Sequence, residues 1–179
     1  QAHDVAGPLA ALIKERGLPG FLFDQMIDAR ETDIEHVPFA DTMALWDYLE
    51  GTSGALMALA VRALGGRADS VARDCGVAQG LANYLMAIPA LEAAGRRPVP
   101  DGRAAAISEL AGEGLLRLER ARQESGKIAP PARPALLAAW RARSILAQAA
   151  AHPGRVGAGM LTQSEFARRG SLLWRSLTG

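Results

Sequence analysis

Four carboxylates, Asp24, Asp28, Glu31 and Glu35, recur at i, i+4, i+7 and i+11, while Phe23, Met26, Ile27 and Ile34 form a separate apolar stripe in the same stretch. On a helix this spacing collects the acids on one side. Hard oxygen ligands of that kind hold Mg²⁺ when a second acidic helix faces them, and the ions then bridge to the oxygens of a diphosphate. A lone acidic stripe is equally what a solvated helix surface looks like. The spacing therefore supplies either half of a metal-dependent phosphate site or an ordinary exposed face.

Other chemistries find little support. One cysteine, Cys75, and three histidines, His3, His36 and His152, show no metal-ligand spacing, and the histidines fall beside breaks, where solvated loop side chains are usual. There is no Gly-x-Ser-x-Gly, no phosphate-cradling glycine loop with lysine and no Gly-x-Gly-x-x-Gly. No catalytic residue, metal ligand or cofactor is assigned on these grounds. A single thiol forms no internal disulfide, which fits a reducing, cytoplasmic setting.

The formal charge of +1 excludes a nucleic-acid polycation as the default reading but conceals an uneven distribution. Residues 1 to 60 carry ten acids and three bases, a balance of −7, whereas residues 133 to 179 carry seven arginines and Glu165, a balance of +6. These halves neutralise each other by packing, sit on solvated faces, or leave a basic C-terminal surface for anionic lipid or an acidic partner. Leu172, Leu173 and Trp174 beside Arg168, Arg169 and Arg175 suit either core packing or peripheral contact with a membrane. The apolar run Ala55 to Val61 stops at Arg62, far short of the ~20 residues that span a bilayer.

The elements that must position these residues are helical. The chain has 179 residues, 49% hydrophobic and 5% aromatic, enough for one globular domain over 1–179, and its 36 alanines against 14 valines and isoleucines favour helix over sheet. Glycine and proline punctuate the pattern. A first helix runs from about Pro8 to Gly17 and a second from Gly20 to Glu35. The third begins at Asp41, whose carboxylate suits an N-cap, and ends before Gly65-Gly66. Its middle reads Gly51-Thr52-Ser53-Gly54, which implies a close helix crossing, a local break or backbone facing a cavity. A fourth helix from Asp69 to about Gly95 contains Pro89, expected to kink or interrupt it. Asp101 is expected to cap a fifth to about Ser125, a proline-rich connector precedes a sixth over Ala135 to Ala151, and a last helix is expected over Thr162 to Leu177.

Taken in order, these segments resemble the squalene/phytoene synthase family over nearly the whole chain. Met26-Ile27-Asp28-Ala29-Arg30-Glu31-Thr32-Asp33-Ile34-Glu35 is similar to the family's LIDGMRMDLE stretch, with Asp28 and Asp33 at its acidic positions. Tyr48 through Met57 is similar to its VAGTVGLM segment, and Gly76 through Leu85 to its GIALQLTNILRD helix. The resemblance implies an all-α, isoprenoid-synthase-like helical bundle. The family's first Asp-rich motif would lie ahead of Gln1, so the chain is expected to lack the N-terminal part of that fold.

Where active members carry a second Asp-rich motif, this chain reads Met86-Ala87-Ile88-Pro89-Ala90-Leu91, without a carboxylate. That departure, with Asp28-Ala29-Arg30-Glu31-Thr32-Asp33 and Glu50-Gly51-Thr52-Ser53-Gly54, resembles a branch of the family that includes a mitochondrial complex I assembly factor and bacterial relatives. The resemblance implies a non-catalytic protein acting as an accessory or assembly component of respiratory complex I, cytoplasmic and peripheral to the inner membrane, without nucleic acid as a partner. Asp28, Asp33, Tyr48, Gln79 and Asn83 are the residues expected to line a residual polar pocket, with Met57 and Met86 among apolar neighbours. A lipid or quinone-like tail in the prenyl channel is a further implication. The alternative is a Mg²⁺-dependent head-to-head prenyl transferase.

Overall fold

The computed structural model describes residues 4–161, and all of their regular structure is helical. In chain order the elements are α1 (Ala6–Arg16), α2 (Gly20–Glu35), α3 (Thr42–Leu49), a π-helical turn (Glu50–Gly54), α4 (Ala55–Ala63), α5 (Asp69–Ala93), α6 (Ala104–Gln123), a 3₁₀ stretch (Pro130–Ala139), α7 (Ala142–Ala151) and the one-turn α8 (Gly154–Gly157). No helix among the described residues is long and apolar enough to cross a membrane. The expected terminal helix over Thr162 to Leu177 lies outside the described residues.

α5 is the axis of the bundle. α4, α6, α7 and the π turn all pack on it, and Val71, Val77, Leu81, Leu85 and Ile88 are buried along it. Leu22 from α2, Leu45 and Leu49 from α3, Val61 from α4 and Leu146 from α7 are also fully buried. Alanines such as Ala55, Ala58, Ala72 and Ala78 are also at zero or near-zero exposure, so small side chains let these helices approach closely.

The glycine-rich middle of the third predicted helix is where the close crossing occurs. A Cβ on Gly76 would sit 2.6 Å from Met57 Cβ and inside the radius of the Ser53 carbonyl oxygen, and a Cβ on Gly80 would collide with the Ser53 side chain. On the opposite side, a Cβ on Gly51 would lie 2.8 Å from Ala29 Cβ of α2. The π turn is thus clamped between α2 and α5, and only glycine permits that spacing. The buried Thr52 donates from Oγ1 to the Tyr48 carbonyl (2.7 Å), so its hydroxyl is not left unpaired in the core.

Several boundaries differ from the sequence reading. Asp41 does cap α3, accepting from the Ala44 amide at 2.8 Å. Asp101 does not cap α6: the N-cap is Arg103, and Asp101 instead accepts from the Arg103 amide and guanidinium (2.9 and 2.6 Å). Pro89 does not interrupt α5, which continues to Ala93 because packing against α8, α7 and α6 outweighs one lost backbone hydrogen bond. The sixth predicted helix begins at Ala142 rather than Ala135, since Pro130, Pro131 and Pro134 wind the preceding residues into a tighter 3₁₀ form.

The two charged halves do not neutralise each other among the described residues. Arg133, Arg141, Arg143 and Arg155 make their polar contacts with Ile128, Met86, Glu119 and Gln148. Glu50 of the first half is paired instead with Arg73 of α5 and Arg117 of α6.

Candidate functional site

α2 and α3 are joined by a short extended segment, residues 36–41, and run alongside each other with a cleft of about 500 Å³ between them. Asp28, Thr32 and Glu35 line it from α2, Ala44, Asp47 and Tyr48 from α3, and Val37 and Phe39 from the connection. His36 ends α2 in the left-handed conformation (φ 57°), the only non-glycine residue so placed among the described residues, and this reverses the chain toward α3.

A polar cluster closes the end of this hairpin. The Tyr48 hydroxyl donates to Asp33, with its oxygen 3.1 Å from Oδ1 and 3.2 Å from Oδ2. Arg30 Nη1 donates to Asp33 Oδ2 (2.8 Å) and to the Tyr48 oxygen (3.1 Å), and its guanidinium lies 5.8 Å from the Tyr48 ring centroid. Arg96, from the loop after α5, donates to the Asp33 carbonyl (3.2 Å) and lies 3.1 Å from His36 Nε2. Phe39, Tyr48 and Tyr84 pack edge-on with centroids 5.4 to 6.2 Å apart, and the Tyr84 hydroxyl donates to the Pro98 carbonyl (2.7 Å). Burial pushes the Tyr48 phenol above its ordinary value, with Arg30 opposing and Asp33 adding to the shift. Burial, then the neighbouring Tyr48 and Asp33, pushes Tyr84 up to about 12. Both phenols are therefore fixed hydrogen-bond donors at neutral pH.

The sequence-derived residues divide accordingly. Asp33 and Tyr48 meet directly, and Asp28 shares the cleft wall with Tyr48. Gln79, half-buried, and Asn83, exposed, sit one turn apart on α5 and do not line the cleft. The apolar candidates also separate: Met57 is buried in the core, whereas Met86 is at the surface beside Arg141 (3.2 Å from Sδ to Nη2). Arg30 and Arg96 were not singled out from sequence. The i, i+3 spacing of Arg30 and Asp33 was a usable signal. Nothing marks the pairing of Arg96 with residues 60 positions away.

A second ionic cluster lies behind the π turn. Arg117 of α6 donates to Glu50 (2.5 Å) and Asp74 (3.4 Å), its Nε faces Glu113 at 3.5 Å without forming a hydrogen bond, and its guanidinium stacks 4.9 Å from the Trp46 ring. Arg73 approaches Glu50 at 3.8 Å and Arg120 approaches Asp74 at 3.2 Å. These contacts tie α3, α5 and α6 together.

A helical bundle, free of strands among the described residues, with a helix-hairpin cleft defines the class: an all-α protein of isoprenoid-synthase-like fold. The squalene/phytoene synthase family model matches residues 1–102, more than half of the 179, and the chain belongs to that family. The match stops short of the whole-chain resemblance read from the motifs, ending just before α6. No curated protein and no solved structure matches the chain.

The family implies Mg²⁺, and the described residues do not fit it. They contain no group of three or more His, Cys, Asp or Glu side chains placed to hold a metal ion. The Asp33 carboxylate is engaged by Tyr48 and Arg30, and the α5 segment Met86 to Leu91 offers no side-chain carboxylate.

Proposed function

We propose that this chain is a partner-binding, non-catalytic member of the squalene/phytoene synthase family that serves as an accessory or assembly component of respiratory complex I at the inner-membrane surface. The observation that supports a non-catalytic role is the state of its two acidic positions. Asp33 is ion-paired with Arg30 and accepts from the Tyr48 hydroxyl, and Met86 to Leu91 stands where the family resemblance puts the second set of carboxylates. Asp33 and the Met86 to Leu91 segment together supply no pair of free carboxylates for a metal-bound diphosphate.

The branch-like residues support the same reading. Arg30 and Asp33 fasten α2 to α3, Gly51 seats the π turn against Ala29, and Glu50 anchors Arg117. Their work is to hold helices in register, which is what a protein that acts through its surface needs. The complex I assignment rests on the motif resemblance alone. The test is purification of the tagged native protein from its own membranes: subunits of NADH:quinone oxidoreductase should accompany it, and their absence would remove this partner.

Family membership itself favours a second reading, a Mg²⁺-dependent head-to-head prenyl transferase, with Asp28 as an exposed carboxylate in the cleft. The two readings separate on incubation with farnesyl or geranylgeranyl diphosphate and Mg²⁺. The first predicts no condensed product, and turnover abolished by Asp28→Ala would establish the second.

A further inference from the structure

We infer that the groove between α2 and α3 is a docking site for a basic amphipathic helix presented by a partner protein. Its α2 wall carries Asp28, Ala29, Thr32 and Glu35, and with Gln25 these positions run ten residues along one side of the helix, about 15 Å. The opposing wall carries Ala44, Asp47, Tyr48 and Gly51, again at helical spacing. Ala29 and Gly51 meet at one end, where a Cβ on Gly51 would lie 2.8 Å from Ala29 Cβ, so the open part of the groove lies between Asp28, Thr32 and Glu35 on one side and Ala44, Asp47 and Tyr48 on the other. Val37, at the lip, is 60% exposed, so the groove has apolar surface without a cover among the described residues.

Charge selects the occupant. Asp28, Glu35 and Asp47 edge the groove, and among the described residues no lysine, arginine or histidine lines it. Several other acids are paired within the chain: Asp33 with Arg30, Glu50 with Arg117, Asp69 with Arg62, Asp74 with Arg120. The three groove carboxylates have no cation at ion-pair distance among the described residues. An apolar floor between unpaired carboxylates complements a helix with a narrow stripe of small or apolar residues flanked by arginine or lysine. An anionic bilayer or a nucleic acid would be repelled by the same edges.

This goes beyond the complex I assignment and is tested apart from it, on purified full-length protein. The probe is a fluorescein-labelled peptide of about 18 residues, long enough to be helical, built from Leu, Ala and Arg with Leu every third or fourth position. Its partner probe replaces Arg by Glu. Fluorescence anisotropy should show binding of the arginine peptide alone, weakening as salt rises. The combined Asp28→Asn, Glu35→Gln, Asp47→Asn variant should lose about tenfold in affinity and most of the salt dependence. Ala44→Trp, which fills the floor without altering charge, should weaken binding at all salt concentrations.

Amide spectra of the unmutated protein provide a reading that does not depend on how the variants fold: peptide-induced shifts should centre on α2 and α3. Shifts centred elsewhere, equal binding of both peptides, or no binding would overturn the inference. So would self-association that the triple variant abolishes, which would make a second copy the occupant. Release of the groove by salt in the absence of peptide, with α2 and α3 shifts matched by residues 162–179, would assign it to the chain's own arginine-bearing segment and likewise overturn it.

Discussion

The Tyr48 hydroxyl and the Asp33 carboxylate join α3 to α2 across 15 residues of sequence, with Arg30 bonded to both. This triangle is partly solvated, so its worth is that of ordinary hydrogen bonds rather than a buried ion pair. Tyr48→Phe should cost about 1 kcal/mol in urea denaturation, and Asp33→Ala a similar amount. Because both remove the same contact, the double variant should lose clearly less than the sum. Additive losses would mean that Tyr48 acts through ring packing on Phe39 and Tyr84 alone.

Much of the fold was legible because helix ends here are written in local chemistry. Gly17, Asp41 and Gly65 act within a few residues of themselves, and the end of α1, the α3 cap and the end of α4 follow from them. The glycines at 51 and 54 signalled a crossing, though not a π turn, since ring size depends on what presses from α2 and α5. The 3₁₀ stretch escaped because alanine and leucine after Pro134 suit α-helix equally well. For the site, Asp28, Asp33 and Tyr48 lay within motifs that the hairpin brings together. Gln79 and Asn83 belonged to a motif on α5 that the fold leaves outside the cleft, and helical spacing gives no information on which neighbour a face will meet.

The crossing of the π turn over α5 makes a sharp prediction about glycine. Alanine in a helix is ordinarily favoured over glycine by about 0.5–1 kcal/mol. At Gly112 of α6, where nothing lies within 4 Å of an added Cβ, Gly112→Ala should stabilise by about that amount. At Gly80 the sign should reverse, with a loss of about 1–3 kcal/mol from overpacking against Ser53. Ser53→Gly should recover part of the Gly80→Ala loss. It should recover little for Gly76→Ala, whose Cβ meets backbone and Met57 instead. Thermal or urea midpoints for the five proteins would decide it, and a neutral Gly80→Ala would disprove the tight crossing.

Alkaline pH should loosen the hairpin. Tyr48 and Tyr84 have phenol pKa values raised by burial, Tyr84 to about 12, so their protonated forms are favoured by the folded state. A raised pKa contributes stability in full below the unfolded value near 10, and loses it as pH climbs through the folded value. Urea midpoints should therefore fall between about pH 10 and about pH 12, and Tyr84→Phe should flatten that fall. Tyrosinate absorbance gives an independent check: if Tyr84 ionises with the exposed population near pH 10, its burial against Tyr48 and Pro98 is not as described.

Arg117 offers the strongest electrostatic test, because one guanidinium answers to three helices. It is 19% exposed, bonds Glu50 at the π turn and Asp74 on α5, and covers the Trp46 ring of α3. Arg117→Met keeps the apolar stem but leaves Glu50 with Arg73 at 3.8 Å and Asp74 with Arg120 at 3.2 Å, so neither acid is wholly unpaired. The loss should then be about 2–3 kcal/mol, the range for charged hydrogen bonds, rather than that of an abandoned buried charge. Arg117→Lys should recover only part of it, since an ammonium restores the charge but not the planar fork that reaches Glu50 and stacks on Trp46 together. A loss below about 0.5 kcal/mol for Arg117→Met would place the cluster with surface ion pairs and remove it as the tie between the π turn and α6.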